Sequence, residues 1–243
     1  STATYSNTAV NMSNSAVTNT TPFTRSFTIG RDGGTSNVSA FQITGDSDSG
    51  EANIAIGQLS KAVDVFKNAE DIDVSIVLQG KARGGTHDHQ WGNYLIDNIA
   101  ESRKDCVVTI SPPKSDVINN FGNESANTVD FRNALTSSSY GIMDGGFKYQ
   151  YDRYNDLYRY VPYNGDVGGL MVRTDTTRDP WYSPVGFDRG ILKNVIKNSD
   201  NPDKSDRVVH YKNGIIQSPT FPGQCNIMLG HETSLPKPGP YDA

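Results

Sequence analysis

Cysteine, histidine and long apolar runs are what this chain has least of. Among 243 residues only two are cysteines, Cys106 and Cys225, and only four are histidines. Two cysteines do not make a disulfide framework. Cys106 opens the strand-like run Cys-Val-Val-Thr-Ile and reads as a buried, inert thiol, which fits assembly in a reducing compartment. The pairing of Cys106 with Cys225 stays open. No apolar run approaches the length of a membrane span, and no charged-then-apolar leader begins the chain. Charge of one sign is also missing: 22 basic against 27 acidic residues leave a net −5. That gives no basic field for nucleic acid and no polybasic patch for acidic lipid, so neither is an expected partner. The chain starts at Ser1 rather than Met, which reads as the loss of upstream residues.

What is present suits a folded body. Only 35% of residues are hydrophobic, yet a chain of this length can bury roughly 70–75% of its unfolded surface. Residues 1–22 are dominated by Ser, Thr and Asn, which compete with regular backbone hydrogen bonding. A β-hairpin is expected over residues 23–43, turning at Arg31-Asp32-Gly33-Gly34. The period then changes. Leu59, Ala62, Val63 and Phe66 recur at helical spacing, and residues 73–78 read as a buried strand. Trp91, Tyr94, Leu95 and Ile99 define a second amphipathic helix ending near Lys104, before the strand at 106–110 and its stop at Pro112-Pro113. A third helix is expected around Val129, Phe131 and Leu135. Such alternation argues for an α/β layer with parallel pairing.

After Tyr140 the pattern predicts a long hairpin. Phe147, Tyr149 and Tyr151 alternate on one arm and Tyr158 and Tyr160 on the other, around residues 152–156. Cross-strand packing explains these tyrosines better than a sticky surface for a partner or a sugar does. A helix is expected from Asp166 through Arg173, a solvated turn over 198–206, and short apolar runs at 208–209, 215–216 and 227–229. The final Leu235-Pro-Lys-Pro-Gly-Pro-Tyr-Asp-Ala cannot form a regular element.

Enzymatic motifs are weak. Gly80-Lys81-Ala82-Arg83-Gly84-Gly85-Thr86 sits where a phosphate loop would, but it lacks Lys then Ser/Thr after the last glycine, and Ala82 takes the place of a dinucleotide-site glycine. His87-Asp88-His89 offers two imidazoles but no third ligand at metal-site spacing, His210 and His231 being elsewhere. Gly34-Thr35-Ser36 and Gly85-Thr86-His87 echo nucleophile and histidine boxes of subtilisin-like hydrolases, but in reversed order, and Asn164 and Asp166 leave no base in the segment that follows such a histidine. Asn-x-Ser/Thr triplets at Asn11, Asn19, Asn37 and Asn123 are what chance supplies in a chain so rich in these residues. No catalytic residue, cofactor or metal site is therefore expected.

The specific signal lies between Tyr158 and Gly190. Val161-Pro162, Val167-Gly168-Gly169 and Arg173-Thr174-Asp175 lead to Trp181-Tyr182-Ser183-Pro184-Val185-Gly186-Phe187-Asp188-Arg189-Gly190. Ser137-Ser138-Ser139-Tyr140 precedes them; Phe221-Pro222-Gly223-Gln224 and Gly230-His231-Glu232-Thr233 follow. This series resembles the signature of contractile-tail sheath proteins of bacteriophages and related injection machines, over roughly residues 50–243. Asp188 stands for the family's Asn, Asp166 for its His and Cys225 for a Gly, departures that suggest a divergent, phiKZ-like phage.

The resemblance implies a mixed α/β fold: a subtilisin-like sheath domain without the active site over residues 46–178, a β-rich segment over 1–45 belonging to an outer insertion, and a small sheath domain over 179–243. In the family a helix and an exchanged C-terminal strand follow Pro240-Tyr241-Asp242, so the sequence reads as truncated and this piece is expected to stay monomeric. The implied role is a non-enzymatic subunit that polymerises around the tail tube and contracts to drive it through the host envelope. Implied partners are identical subunits, through strand exchange, together with the tube, baseplate and tail terminator proteins. Assembly in the host cytoplasm and residence in the virion tail go with that role. Arg173, Asp175, Asp188 and Arg189 are candidate residues for inter-subunit ion pairs, against the alternative that they pair within the subunit.

Overall fold

A computed structural model describes residues 56–83, 89–221, 223 and 226–235. The hairpin expected over 23–43, Ser36, Gly84 to Asp88, Pro222, Gln224, Cys225 and the proline-rich end lie outside the described residues. The chain divides into two units, Ser1–Ala62 and Val63–Ala243. The first is described only over residues 56–62, within helix α1 (Ile56–Val63), whose side chains are not buried.

The second unit opens with a 3₁₀ turn (Asp64–Phe66) and then alternates strand and helix. Strand β1 (Ile76–Leu78) is followed by α2 (Gln90–Leu95), a π-helical turn (Ile96–Ala100) and α3 (Glu101–Arg103). Lys104 ends this run in the left-handed region at φ 61°, a common helix stop. Next come β2 (Val107–Ile110), α4 (Lys114–Val117), α5 (Glu124–Ala134) and β3 (Gly141–Asp144). The hairpin β4 (Phe147–Asp152) and β5 (Leu157–Pro162) leads into α6 (Asn164–Thr177). Strand β6 (Lys197–Asn198), helix α7 (Lys204–Lys212) and β7 (Ile215–Ile216) complete the named elements.

The main sheet runs β1-β2-β3-β7, every pair parallel. Parallel strands need helical crossovers and are covered on both faces, which is why residues 107–110 and 141–144 carry apolar side chains without polar alternation. Val108 and Ile110 pair beside Gly141 and Met143, and Met143 beside Ile215, so these side chains share one face. Helix α2 lies on that face: a Cβ on Gly92 would come within 3.1 Å of Leu135 and 3.6 Å of Ile110. Thr109, Ile142 and Ile216 share the other face with α6, where Gly168 sits against Ile76 and Leu78. Tyr163, Val167, Leu170, Val185, Leu192 and Met228 fill the core on this second side.

A smaller antiparallel sheet runs β5-β4-β6. Tyr149 is opposite Tyr160 and Tyr151 opposite Tyr158, the cross-strand pairing expected from the alternation. Two expectations are corrected. Residues 198–206 are not a solvated turn throughout: Lys197–Asn198 pairs with β4, and α7 begins at Lys204, where the Asp203 carboxylate accepts the Asp206 N–H at 3.0 Å as an N-cap. Residues 141–144, expected only as the approach to a hairpin, form the central strand β3. Cys106 is buried and free.

Candidate functional site

In open parallel sheets, ligands usually lie beyond the carboxyl ends of the strands, so that edge is the first place to look. Ser111, just past β2, donates its hydroxyl to Asp144 Oδ2 at 2.5 Å. The Ser111 oxygen accepts the Asn164 backbone N–H at 3.1 Å and its side-chain amide at 3.0 Å. Asn164 Nδ2 also donates to the Gly80 carbonyl at 2.6 Å, and Gln79 Oε1 accepts the Ser111 N–H at 2.8 Å. Trp91 Nε1 closes the ring by donating to the Gln79 carbonyl at 3.1 Å. Every one of these side chains is buried.

Burial pushes the Asp144 carboxyl well above the usual carboxylate range, against the opposing pull of the Ser111 hydroxyl and the Gly146 N–H. Asp166, one turn into α6, makes a half-sheltered ion pair with Lys148 at 2.8 Å; its own burial still outweighs Lys148 and moves its carboxyl upward. A serine, a carboxylate and a helix N-terminus therefore meet, without an imidazole among the described residues. His210 is elsewhere, its Nε2 bonded to Ser125 Oγ at 2.9 Å and its charged form disfavoured chiefly by burial. Among the described residues no cluster could hold a metal ion, and Ser36 and His87 lie outside them. This edge acts as a polar clamp joining β1, β2, β3 and α6.

The segment after α6 is organised differently. Gly190 passes so close to the backbone that a Cβ there would meet the Met228 carbonyl at 2.5 Å and Gly186 N at 2.6 Å, and Gly186 itself has φ 106°. The backbone is held inside: Gly186 N–H and Met228 O are 2.8 Å apart, and Met228 N–H donates to Gly190 O at 2.7 Å. Its large side chains point outward. Trp181 is 78% exposed, Phe187 53%, and Tyr182 is also exposed. Trp181 stacks beside Tyr182, and Phe187 tilts against Phe221 at 5.5 Å.

The four sequence candidates fall into two kinds. Arg173, on α6, donates to the Arg189 carbonyl, and Arg189 Nε donates to the Ser183 carbonyl at 2.8 Å while its guanidinium covers the Tyr182 ring. Asp175 and Asp188 are exposed. No ion pair joins any of the four among the described residues. The structure thus brings the arginines together as backbone clamps and leaves the aspartates on the surface. The Trp181–Phe187 aromatic exposure was not foreseen; its only trace in the sequence is four aromatic residues, counting Phe221, near glycine and proline turns.

The frame of four parallel strands between α2 and α6, with a hairpin leading into α6, is a sheath fold. It is similar to a chain of the PVC sheath complex of an extracellular contractile injection system in its contracted state, with a TM-score of 0.54 at 13% identity, covering 76% of this chain and 45% of that one. A chain of the anti-feeding prophage helical sheath in its contracted state gives 0.52 at 12% identity, covering 82% and 46%. In sequence, the chain is 32% identical over 205 residues to the tail sheath protein of Enterobacteria phage T4 and 32% over 219 residues to that of Vibrio phage KVP40. Those matches cover 80% and 84% of this chain, which spans about a third of each relative, 31% and 32%. The tail sheath protein of Salmonella phage ViI matches at 33% over 149 residues, 61% of this chain and 24% of the relative. No family model matches. The resemblance to tail sheath proteins therefore holds over most of the chain.

Proposed function

We propose that this chain is the body of a contractile-tail sheath subunit, one that polymerises helically around a tail tube and contracts to drive the tube through the host envelope. The observation that carries the reading is the 32% identity to the T4 tail sheath protein across 80% of the chain. Its mechanism is mechanical. Heterologous contacts between identical bodies build an open helix rather than a closed dimer. Two packings of that lattice, differing by a few kcal/mol per subunit, store work when many subunits switch together. The role is structural, without bond chemistry.

The finer elements belong to the same reading. The frame is subtilisin-like with the catalytic machinery lost: Asn164 and Asp166 occupy the start of α6, where a base would be needed. Residues 1–45 form an outer addition, 46–178 the central body and 179–243 a second sheath domain. Val185, Leu192 and Met228 bury against Ile142 and Val167, so that last boundary divides topology more than packing. Partners are further copies joined by strand exchange, the tube, the baseplate and the tail terminator, with assembly in the host cytoplasm. Asp175 and Asp188, exposed beside Trp181 and Phe187, are the better interface candidates of the four; Arg173 and Arg189 shape the surface from behind.

The test is assembly. The complete protein, expressed with its tube protein, should form hollow striated cylinders in negative-stain micrographs. Dispersed monomers at every concentration and salt condition, with or without tube, would overturn the reading.

A further inference from the structure

Two buried side chains at α7 each leave one polar atom over. His210, 3% exposed, meets Ser125 of α5 through Nε2, which lies 2.9 Å from Oγ. Its other ring nitrogen, Nδ1, is buried and has no hydrogen-bond partner among the described residues. Gln217, just past β7 and 6% exposed, donates through Nε2 to the Arg207 carbonyl of α7 at 2.8 Å. A carbonyl can only accept, so this bond fixes which end of the amide is nitrogen. The other end, Oε1, is likewise buried and without a partner among the described residues. Buried polar atoms in native proteins are nearly always bonded, and ordered water serves where the protein supplies no group.

His210 and Gln217 line one niche, together with Tyr163, Ser199, Asp200 and Ser218. Its volume is about 10 Å³. A water needs roughly 10–15 Å³, so one molecule of that size fits and nothing larger does. The other wall groups are largely engaged. The Tyr163 hydroxyl donates to Asn198 Oδ1 at 2.6 Å, and Ser199 Oγ accepts the Phe147 N–H at 3.0 Å. Asp200, half-buried, offers an acceptor oxygen whether or not its carboxyl is ionised.

We propose that this niche is a binding site for one structural water molecule, which accepts from His210 Nδ1–H and donates to Gln217 Oε1 and Asp200. The tautomer follows from the count of donors. Gln217 Oε1 and the Asp200 carboxyl take the water's two hydrogens, so its oxygen is left to accept and Nδ1 must carry a proton. Burial disfavours the charged imidazole, against the pull of Asp206 on the same helix. A neutral ring with its proton on Nδ1 has a bare Nε2, which accepts the Ser125 hydroxyl. Donation then runs one way from Ser125 through His210, water and Gln217 to the Arg207 carbonyl, each bond polarising the next. The relay joins α5, α7 and the end of β7. It belongs to the folded subunit, so it stands or falls independently of the sheath reading.

Two measurements on the unaltered, complete protein test the site. With isotope-labelled histidine, long-range proton–nitrogen NMR spectra at neutral pH should show His210 protonated at Nδ1 and bare at Nε2, the reverse of the tautomer that free histidine favours. The His210→Gln variant identifies the signal by its loss. A density map fine enough to resolve ordered water should show a peak within about 2.7–3.2 Å of both His210 Nδ1 and Gln217 Oε1. Gln217→Met keeps the side-chain length but removes the acceptor, and it should move the His210 proton to Nε2, with Ser125 Oγ accepting. A bare Nδ1 in the unaltered protein, a direct bond from His210 to Gln217, or no peak in such a map overturns the site. So does a folded Gln217→Met protein that keeps its proton on Nδ1. Both measurements on the unaltered protein decide the matter even if that variant does not fold.

Discussion

The carboxyl edge of the parallel sheet and the segment after α6 invert the usual distribution of polar and apolar groups. At the edge, where α/β enzymes keep polar groups open to a ligand, Ser111, Asp144 and Asn164 are buried and bonded to one another. In residues 181–190, where Trp and Phe would ordinarily be buried, the backbone is locked inside and the aromatic rings stand out. The first arrangement makes a body stiff; the second leaves aromatic side chains exposed, as protein interfaces often do. A subunit of the proposed kind, working by changing neighbours, would need both, because contacts can rearrange as units only if the bodies between them do not deform.

Breaking the stiff region should cost most. Gly190→Val places a branched side chain against the Met228 carbonyl and Gly186, which are backbone atoms and cannot rotate away. A loss of about 3 kcal/mol is expected, at the upper end for overpacking, seen as a lowered urea midpoint. Gly169 is the control: nothing lies within 4 Å of its Cβ position, so Gly169→Ala should be neutral or stabilise by up to about 1 kcal/mol through helix propensity. Equal effects at the two glycines would remove the distinction.

Asp144 gives the edge a pH signature. Its carboxyl keeps its proton in the folded state at pH values where the unfolded chain, with a carboxylate near its ordinary pKa of about 3.9, has lost it. The folded state then binds more protons, so stability is highest in mild acid and falls as pH rises above about 4, until the folded carboxyl also ionises. Asp144→Asn keeps a neutral group there and should flatten that slope between pH 5 and 7.5 in urea titrations. A slope unchanged by the substitution would mean that Asp144 is ionised in the fold, held so by Ser111 and the Gly146 N–H.

Periodicity made the elements with a strong internal pattern legible: the helix through Trp91, Leu95 and Ile99, the strand at 107–110, the tyrosine hairpin and α6. What escaped had little pattern of its own. Strand β3, Gly-Ile-Met-Asp, is too short for a period, and it is a strand because β2 and β7 flank it. Helix α7 has a short, highly charged sequence whose only start signal is Asp203, so it read as a solvated turn followed by a short apolar run at 208–209. The polar clamp was invisible because Gln79, Ser111, Asp144 and Asn164 are far apart in sequence and meet only through the topology. For Arg173, Asp175, Asp188 and Arg189 the sequence did not separate clamps from surface charges. That the arginines bond backbone carbonyls while the aspartates stay exposed depends on where the chain returns at Gly190 and Met228.

Removing the α7 cap should be milder. Asp203→Ala leaves the Asp206 N–H without its acceptor and should cost about 1 kcal/mol. Asp203→Asn, which can still accept, should recover most of it in the same thermal or urea titration. A full loss in both would point to charge at the helix start, rather than the cap bond, as the stabilising factor.

The smallest expected effect on stability is the most informative about the comparison. At 78% exposure Trp181 contributes little to the fold, so Trp181→Ala should shift the unfolding free energy by no more than about 0.5 kcal/mol, the ordinary range for surface positions. Trp91, by contrast, is buried and donates to the Gln79 carbonyl, and Trp91→Ala should cost about 3–5 kcal/mol. The chain has only these two tryptophans, so each single variant also isolates the other's fluorescence. In the Trp91→Phe protein, emission from Trp181 should be red-shifted and readily quenched by iodide while subunits are dispersed, and should move to the blue and resist quenching once polymer forms. A Trp181 that stays equally quenchable in both states would show that residues 181–190 are exposed for some purpose other than contact between copies, and the contrast between a bonded edge and an outward aromatic surface would lose its second half.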